Sequence, residues 1–125
     1  MIVAGVMSGT SLDGIDVAIV EIRGKQIQPL VFQSTPYPKL VREALLGVSN
    51  SMTHTAAIAR LNFVLGELYA EAILRASRKH KPELIGMHGQ TIYHEGLASE
   101  YLGRNVSCTL QIGNRRWWRN ARALR

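Results

Sequence analysis

The chain's hydrophobic period changes at Lys39, and that change limits the folds open to it. From Ile2 to Thr35 the apolar residues form three short runs rich in β-branched side chains: Ile2 to Met7, Ile15 to Ile22, and Ile27 to Thr35. In the second run Ile15, Val17 and Ile19 alternate with Asp16, Ala18 and Val20, the two-residue repeat of a strand. A Gly-rich loop at Ser8 to Gly14 and a turn at Gly24-Lys25 separate the runs. Pro36-Tyr37-Pro38 stops the third, because proline has no N–H for a ladder. The three runs predict an antiparallel meander.

From Lys39 the repeat becomes helical. Leu40, Val41, Ala44, Leu45 and Val48 share one face of a short helix. Ile58, Leu61, Leu65, Leu68, Ala72 and Ala76 mark a longer one, predicted from about Thr55 to His80. Arg78, Lys79, His80 and Lys81 suit the negative end of its dipole, and Pro82 bars its continuation. Leu84 to Met87 then reads as a buried strand and Thr109 to Ile112 as a last short one. The order β-β-β-α-α-β-β predicts a mixed α/β fold, a meander covered by helices and rejoined by a later strand.

At 125 residues and 46% hydrophobic, the chain has the length for one domain and the apolar content for one core. Its net charge of +6 suggests a nucleic-acid or anionic partner until the charge is located. Five of the fifteen basic residues, Arg115, Arg116, Arg119, Arg122 and Arg125, fall in the last eleven positions together with both tryptophans. The remaining 114 residues carry ten basic and nine acidic side chains and show no basic stripe. No nucleic-acid partner is expected, although basic residues interleaved with aromatics do suit single strands. The single cysteine, Cys108, has no internal partner for a disulfide, which fits a reducing compartment. Met1 to Met7 is too short for a secretory signal, and no apolar stretch approaches the roughly 18 residues of a membrane span. A cytoplasmic protein without membrane partners is the expectation.

Two segments carry candidate chemistry. In Ser8-Gly9-Thr10-Ser11-Leu12-Asp13-Gly14-Ile15-Asp16, glycines permit close backbone approach, while hydroxyls and exposed N–H groups suit phosphate oxygens. Asp13 and Asp16 could hold Mg²⁺ directly or through water. The same composition also fits a plain hairpin with Asp13-Gly14 as its turn. The second segment, His88-Gly89-Gln90-Thr91, directly follows a predicted buried strand, the position where α/β sheets bind ligands. Its polar side chains fit sugar hydroxyls or amides, or else satisfy the loop's own backbone. Gln111 and Asn114, at the end of the last strand, could join that cleft. His54, His80 and His94 show no metal-site spacing, and nothing marks Cys108 as activated.

The runs Gly5-Val-Met-Ser-Gly-Thr-Ser-Leu-Asp-Gly-Ile-Asp16, Ile85-Gly-Met-His-Gly-Gln-Thr91 and Thr109-Leu-Gln-Ile-Gly-Asn114 closely resemble the N-terminal part of anhydro-N-acetylmuramic acid kinases. The resemblance covers residues 1 to 114 and implies the first lobe of an actin-like, sugar-kinase (ribonuclease H-like) fold, incomplete in this chain. It implies a small-molecule anhydro amino sugar as substrate, with ATP and Mg²⁺ as cofactors. Phosphorylation of the 6-position would accompany opening of the 1,6-anhydro ring by water, in recycling of cell-wall sugar. By that analogy Gly9, Thr10, Ser11, Leu12, Asp13, Gly14, Ile15 and Asp16 form the phosphate-binding loop, Asp13 and Asp16 hold Mg²⁺, and His88, Gln90 and Thr91 lie towards the sugar.

After Asn114 the family continues with an apolar helix of the type Ala-Val-Val-Ala-Glu-Arg-Thr-Gly, a strand, and an Asp-Phe-Arg motif whose aspartate is the expected general base. Here residues 115 to 125 read Arg-Arg-Trp-Trp-Arg-Asn-Ala-Arg-Ala-Leu-Arg. Trp has the one codon TGG and Arg can be CGG; written with those choices, CGG-CGG-TGG-TGG-CGG-AAC regrouped in another frame contains GCG-GTG-GTG-GCG-GAA, which encodes Ala-Val-Val-Ala-Glu. A frameshifted tail following a truncated lobe, with no catalytic base in the chain, is therefore expected. The lobe is expected to lack kinase activity and to retain, at most, ATP or sugar binding.

Overall fold

The computed structural model describes residues 1–116, so residues 117–125, the greater part of the basic tail, lie outside the described residues. The elements are β1 (Ile2–Met7), β2 (Gly14–Arg23), β3 (Gln26–Pro36), α1 (Lys39–Val48), α2 (Thr55–Ala76), β4 (Leu84–Met87), β5 (Gln90–Tyr101) and β6 (Arg104–Ile112). The first three strands form the predicted meander, and β4 joins the other side of β1 to give the order β3-β2-β1-β4. β4 runs parallel to β1, with Val3 opposite Leu84 and Val6 opposite Met87. A parallel neighbour needs a crossover, and α1 with α2 supplies it. No helix of the described residues is long and apolar enough to cross a membrane.

Both helices pack on one face of this sheet. Ala4, Val6, Ile15, Val17 and Ile19 point towards them and are buried against Leu45, Leu61, Leu65, Tyr69, Ala72 and Ile73. The two-residue repeat sends Gly5, Met7, Asp16 and Ala18 to the opposite face. No element of the described residues packs on that face, and Met7 is 53% exposed and Phe32 70% exposed there. A sheet covered on one side only leaves apolar surface for something else to cover.

Two expectations need correction. The long helix ends at Ala76, not near His80: the Ser77 N–H donates to the Ile73 carbonyl at 2.9 Å and the helical pattern stops there. Pro82 biases its predecessor away from helical backbone, so Arg78 to Lys81 are used to turn the chain into β4. At about 1.5 Å per residue, α2 is about 33 Å long. The second correction concerns the region after β4, where only Thr109 to Ile112 read as a strand. β5 and β6 form a separate two-stranded hairpin, closed by Leu102 and Gly103 with φ of 52° and 75°. Two positive φ values in a row match strand twist. Most of both strands is exposed on both faces, so no alternation announces them.

Candidate functional site

Because β1 and β4 are parallel neighbours, their carboxyl ends lie side by side, and the two candidate segments leave from those ends. The His88 N–H donates to the Val6 carbonyl at 3.3 Å, which joins the start of one segment to the strand before the other. Carboxyl ends of neighbouring strands are where ligands enter α/β sheets.

In the first segment the chain turns at Gly9 to Leu12, with the Leu12 N–H donating to the Gly9 carbonyl at 3.2 Å. Leu12 adopts φ of 56°, a left-handed conformation that costs a leucine on the order of 1–2 kcal/mol. Its side chain is 5% exposed in the core, and that burial offsets the strain. Ile15 is equally buried. Leu12 and Ile15 thus anchor the loop through their side chains, while Gly9, Thr10, Ser11, Asp13 and Asp16 face solvent.

The two glycines differ in kind. A Cβ on Gly14 would lie 2.3 Å from the Thr35 carbonyl oxygen of β3, so this residue is glycine for the sake of the strand pairing. A Cβ on Gly9 would meet only Ser11 Oγ, at 3.5 Å, an ordinary contact. The space in front of Gly9 is left open by the fold. Among the described residues, moreover, the N–H groups of Gly9, Thr10 and Ser11 meet no acceptor. A run of free N–H groups with two exposed hydroxyls and no Cβ at its head can receive anionic oxygens. Asp16 accepts a hydrogen bond from Ser34 at 2.6 Å, and Asp13, Asp16, Ser34 and Thr35 line a groove of about 400 Å³. No group of three or more metal-ligating side chains exists among the described residues, and His54, His80 and His94 are not brought together. Two carboxylates suit a Mg²⁺ ion that takes its other ligands from phosphate and water.

In the second segment Gln90 is fully buried. Its Nε2 donates to the Gly9 carbonyl at 3.0 Å and the Thr91 carbonyl at 3.3 Å, and its Oε1 accepts from the Tyr37 hydroxyl at 3.0 Å. Tyr37 Oη lies 2.9 Å from Ser8 Oγ, which donates to Tyr69 Oη at 2.8 Å. This buried chain of hydroxyls and one amide ties the ends of β1 and β3, the middle of α2 and the start of β5 into one unit. His88 is exposed, with Nδ1 3.1 Å from the Gly89 carbonyl. Thr91 is half-buried, its Oγ1 accepting from Gln111 at 3.1 Å. Gln111 therefore reaches the second segment. Asn114 is instead held against α2, its N–H donating to the Asn62 carbonyl at 2.8 Å, while Asn62 Oδ1 accepts from Gly113 at the same distance.

The sequence reading missed Tyr37, Tyr69 and Asn62. For Tyr69 a signal existed, since it falls four residues after Leu65 on the same helical stripe. Burial pushes both tyrosine hydroxyls above their ordinary range, and for Tyr69 the adjacent Tyr37 oxygen adds to the rise. An unfolded tyrosine loses its proton near pH 10, so below that value both states keep theirs. Above it the unfolded chain releases protons that the folded chain retains, and stability falls as pH rises towards the folded values. Urea midpoints between about pH 8 and about pH 11 should decline accordingly, and less steeply in Tyr37→Phe. Equal slopes in the two proteins would exclude the Tyr37 hydroxyl as a source of the decline.

Comparison with known proteins places these motifs in context. The family model described as anhydro-N-acetylmuramic acid kinase matches residues 1–124. The chain is 42% identical over 122 residues to the anhydro-N-acetylmuramic acid kinase of Caldanaerobacter subterraneus subsp. tengcongensis. It is 40% identical over 125 residues to that of Bacillus cereus strain ATCC 10987. Each alignment takes in 90% of this chain and 31% of the relative, so the chain spans about a third of the length of these curated relatives.

Proposed function

The chain belongs to the anhydro-N-acetylmuramic acid kinase family, and we propose that it forms the phosphate- and sugar-facing part of the first lobe of such a kinase. The observation that carries this reading is the run of N–H groups at Gly9, Thr10 and Ser11 that meet no acceptor among the described residues, at the end of β1 and beside His88 at the end of β4. ATP with Mg²⁺, when bound, supplies the phosphoryl group that goes to the 6-oxygen of a 1,6-anhydro amino sugar as water opens the ring. The Gly9–Ser11 amides and the Thr10 and Ser11 hydroxyls bind phosphate oxygens, which is where positioning and charge neutralisation act in phosphoryl transfer. Asp13 and Asp16 would hold the Mg²⁺, with Ser34 orienting Asp16. His88 and Thr91 face the sugar, and Gln90 holds the two segments at their mutual distance. The mixed α/β sheet, with a parallel fourth strand, supports reading the lobe as actin-like, with ATP in a cleft closed by a second lobe, in a cytoplasmic enzyme. The division at Asn114, with residues 115–125 as an out-of-frame tail, belongs to the same proposal, and the coding DNA tests it: another frame downstream should carry the Asp-Phe-Arg motif.

That motif is absent from this sequence. Incubation of the purified chain with ATP, Mg²⁺ and the anhydro sugar should give no turnover, and turnover above a control without protein would overturn the requirement for further residues. Calorimetric titration with ATP and Mg²⁺ should give weak saturable binding that Gly9→Ala abolishes. Absence of heat at millimolar ATP would remove the phosphate-loop reading.

A further inference from the structure

The β5–β6 hairpin has one edge that is closed and one that is open. On the β5 edge Asn50 bonds twice: its Oδ1 accepts from the His94 N–H at 3.0 Å, and its own N–H donates to the Ile92 carbonyl at 2.7 Å. Register shifts after Thr91 and after Glu95 put extra residues in β5, Ile92 and then Gly96 to Ala98, which break that edge further along. β6 is one continuous strand. Because the His94 N–H points away from β6, His94 and Thr109 form a non-hydrogen-bonded pair, and the Thr109 N–H and carbonyl point away from β5. Alternation gives Asn105, Ser107 and Gln111 the same direction, as does the two-residue turn, which makes Tyr101 and Arg104 a bonded pair. None of these four N–H groups meets an acceptor among the described residues. Exposed edges are ordinarily guarded by lysine, proline or a bulge. From Asn105 to Ile112 β6 carries no charged residue, proline or glycine.

We infer that β6 is a self-association edge: a second copy of this chain lays its own β6 antiparallel along it, about a two-fold axis at Cys108. The residues select both partner and register. An antiparallel edge is its own complement under a two-fold axis, so each copy supplies what the other needs. An axis at Cys108, the midpoint of the four outward-facing residues, gives every one of them a bonded partner: Asn105 meets Gln111, and Ser107 meets Thr109 of the second copy. An axis at Ser107 would set Gln111 against Gly103, and one at Thr109 would set Asn105 against Gly113, whose φ values of 75° and 133° are not those of a strand. At the intervening positions Val106 meets Leu110, apolar against apolar, and Cys108 meets its counterpart. Leu110 is 44% exposed and Cys108 is exposed, so no described residue covers this seam. The seam also adjoins the candidate site, because it sets Asn105 of the second copy beside Gln111, whose side chain holds Thr91. One strand pair is a small contact, so a reversible dimer is expected rather than a permanent one.

Sedimentation velocity of the full chain should show a monomer–dimer equilibrium that shifts with concentration. Ser107→Pro removes one outward N–H and leaves the bonds to β5, while Cys108→Lys sets like charges across the axis and faces Glu95 within its own hairpin. Each should weaken dimerisation about tenfold or more with the far-UV circular dichroism unchanged, and if one alters that spectrum the other serves. Oxidation with copper phenanthroline reads the register. Opposed Cys108 residues in a non-hydrogen-bonded pair have Cα atoms about 4.5 Å apart, within reach of a disulfide, so the unaltered chain should form a covalent dimer. Asn105→Cys combined with Cys108→Ser places the two thiols at opposite ends of the seam and should link several-fold more slowly. A monomer at every concentration, or equal rates of linkage in the two proteins, would overturn the inference. A dimer that both Ser107→Pro and Cys108→Lys leave intact would also overturn it, by assigning association to another surface such as the open face of the four-stranded sheet.

Discussion

Replacing Gly14 by alanine should cost about 3 kcal/mol or more, whereas the same change at Gly9 should leave stability within about 0.5 kcal/mol. Both glycines stand in one loop and look equivalent in sequence. At Gly14 the new methyl would lie 2.3 Å from the Thr35 oxygen and 2.9 Å from Pro36 Cα, both main-chain atoms that cannot rotate away. β2 and β3 must separate at their first pair, Gly14 opposite Pro36, and Tyr37 then loses its N–H bond to the Asp13 carbonyl. At Gly9 the methyl has room, meeting only Ser11 Oγ at 3.5 Å, and under the proposed role it would occupy space left for a phosphate oxygen. Urea unfolding of the two variants separates the cases. Equal losses of stability would mean that Gly9 is as structural as Gly14, and the argument that its open space serves a ligand would fail.

Gln90→Leu is the second large effect. Leucine matches the volume but carries no amide, so the Gly9 carbonyl keeps only the Leu12 N–H and the buried Tyr37 hydroxyl keeps only Ser8 and Tyr69 as neighbours. Each hydrogen bond lost costs about 0.5–1.5 kcal/mol net, so a loss of about 1–3 kcal/mol is expected. Gln90→Glu sets a fully buried carboxyl against the Gly9 and Thr91 carbonyl oxygens, so at neutral pH it should cost at least as much as Gln90→Leu. A loss below about 1 kcal/mol in Gln90→Leu would show that the loop holds its shape without the amide. Because the chain of bonds runs on through Ser8 to Tyr69, Tyr69→Phe should add less to Gln90→Leu than it costs alone, the non-additivity expected within one network.

The first half of the chain was legible because period and burial coincide there. Ile15, Val17 and Ile19 alternate since one side of β2 meets helices, and Leu61 and Leu65 recur since one side of α2 meets the sheet. β5 and β6 escaped for the converse reason: beyond Ile92 and Ile112, little in the hairpin is buried, and a strand wet on both faces has no reason to alternate. The positions of the two candidate segments were legible from glycine and hydroxyl content. Their division of labour was not, because it depends on contacts across 81 residues between Gln90 and Gly9. From position alone Gln90 and His88 read somewhat better as partners of the loop backbone than as sugar contacts, and only the fold distinguishes the buried amide from the exposed imidazole. The helix end was misplaced because the charges from Arg78 to Lys81 suit a helix terminus wherever it falls, and Pro82 limits it without fixing it.

Leu12 gives the Gly9–Ser11 turn an unusual combination of properties. Its N–H groups meet no acceptor among the described residues, which in most loops means a mobile backbone whose ordering must be charged against the affinity for any ligand. Here one end is fastened by a leucine in the core and the other by a carbonyl that accepts from both Leu12 and Gln90. The amides should therefore exchange with solvent deuterium quickly while keeping a fixed geometry, so that under the proposed phosphate-binding role the ordering cost would already be met before an anion arrives.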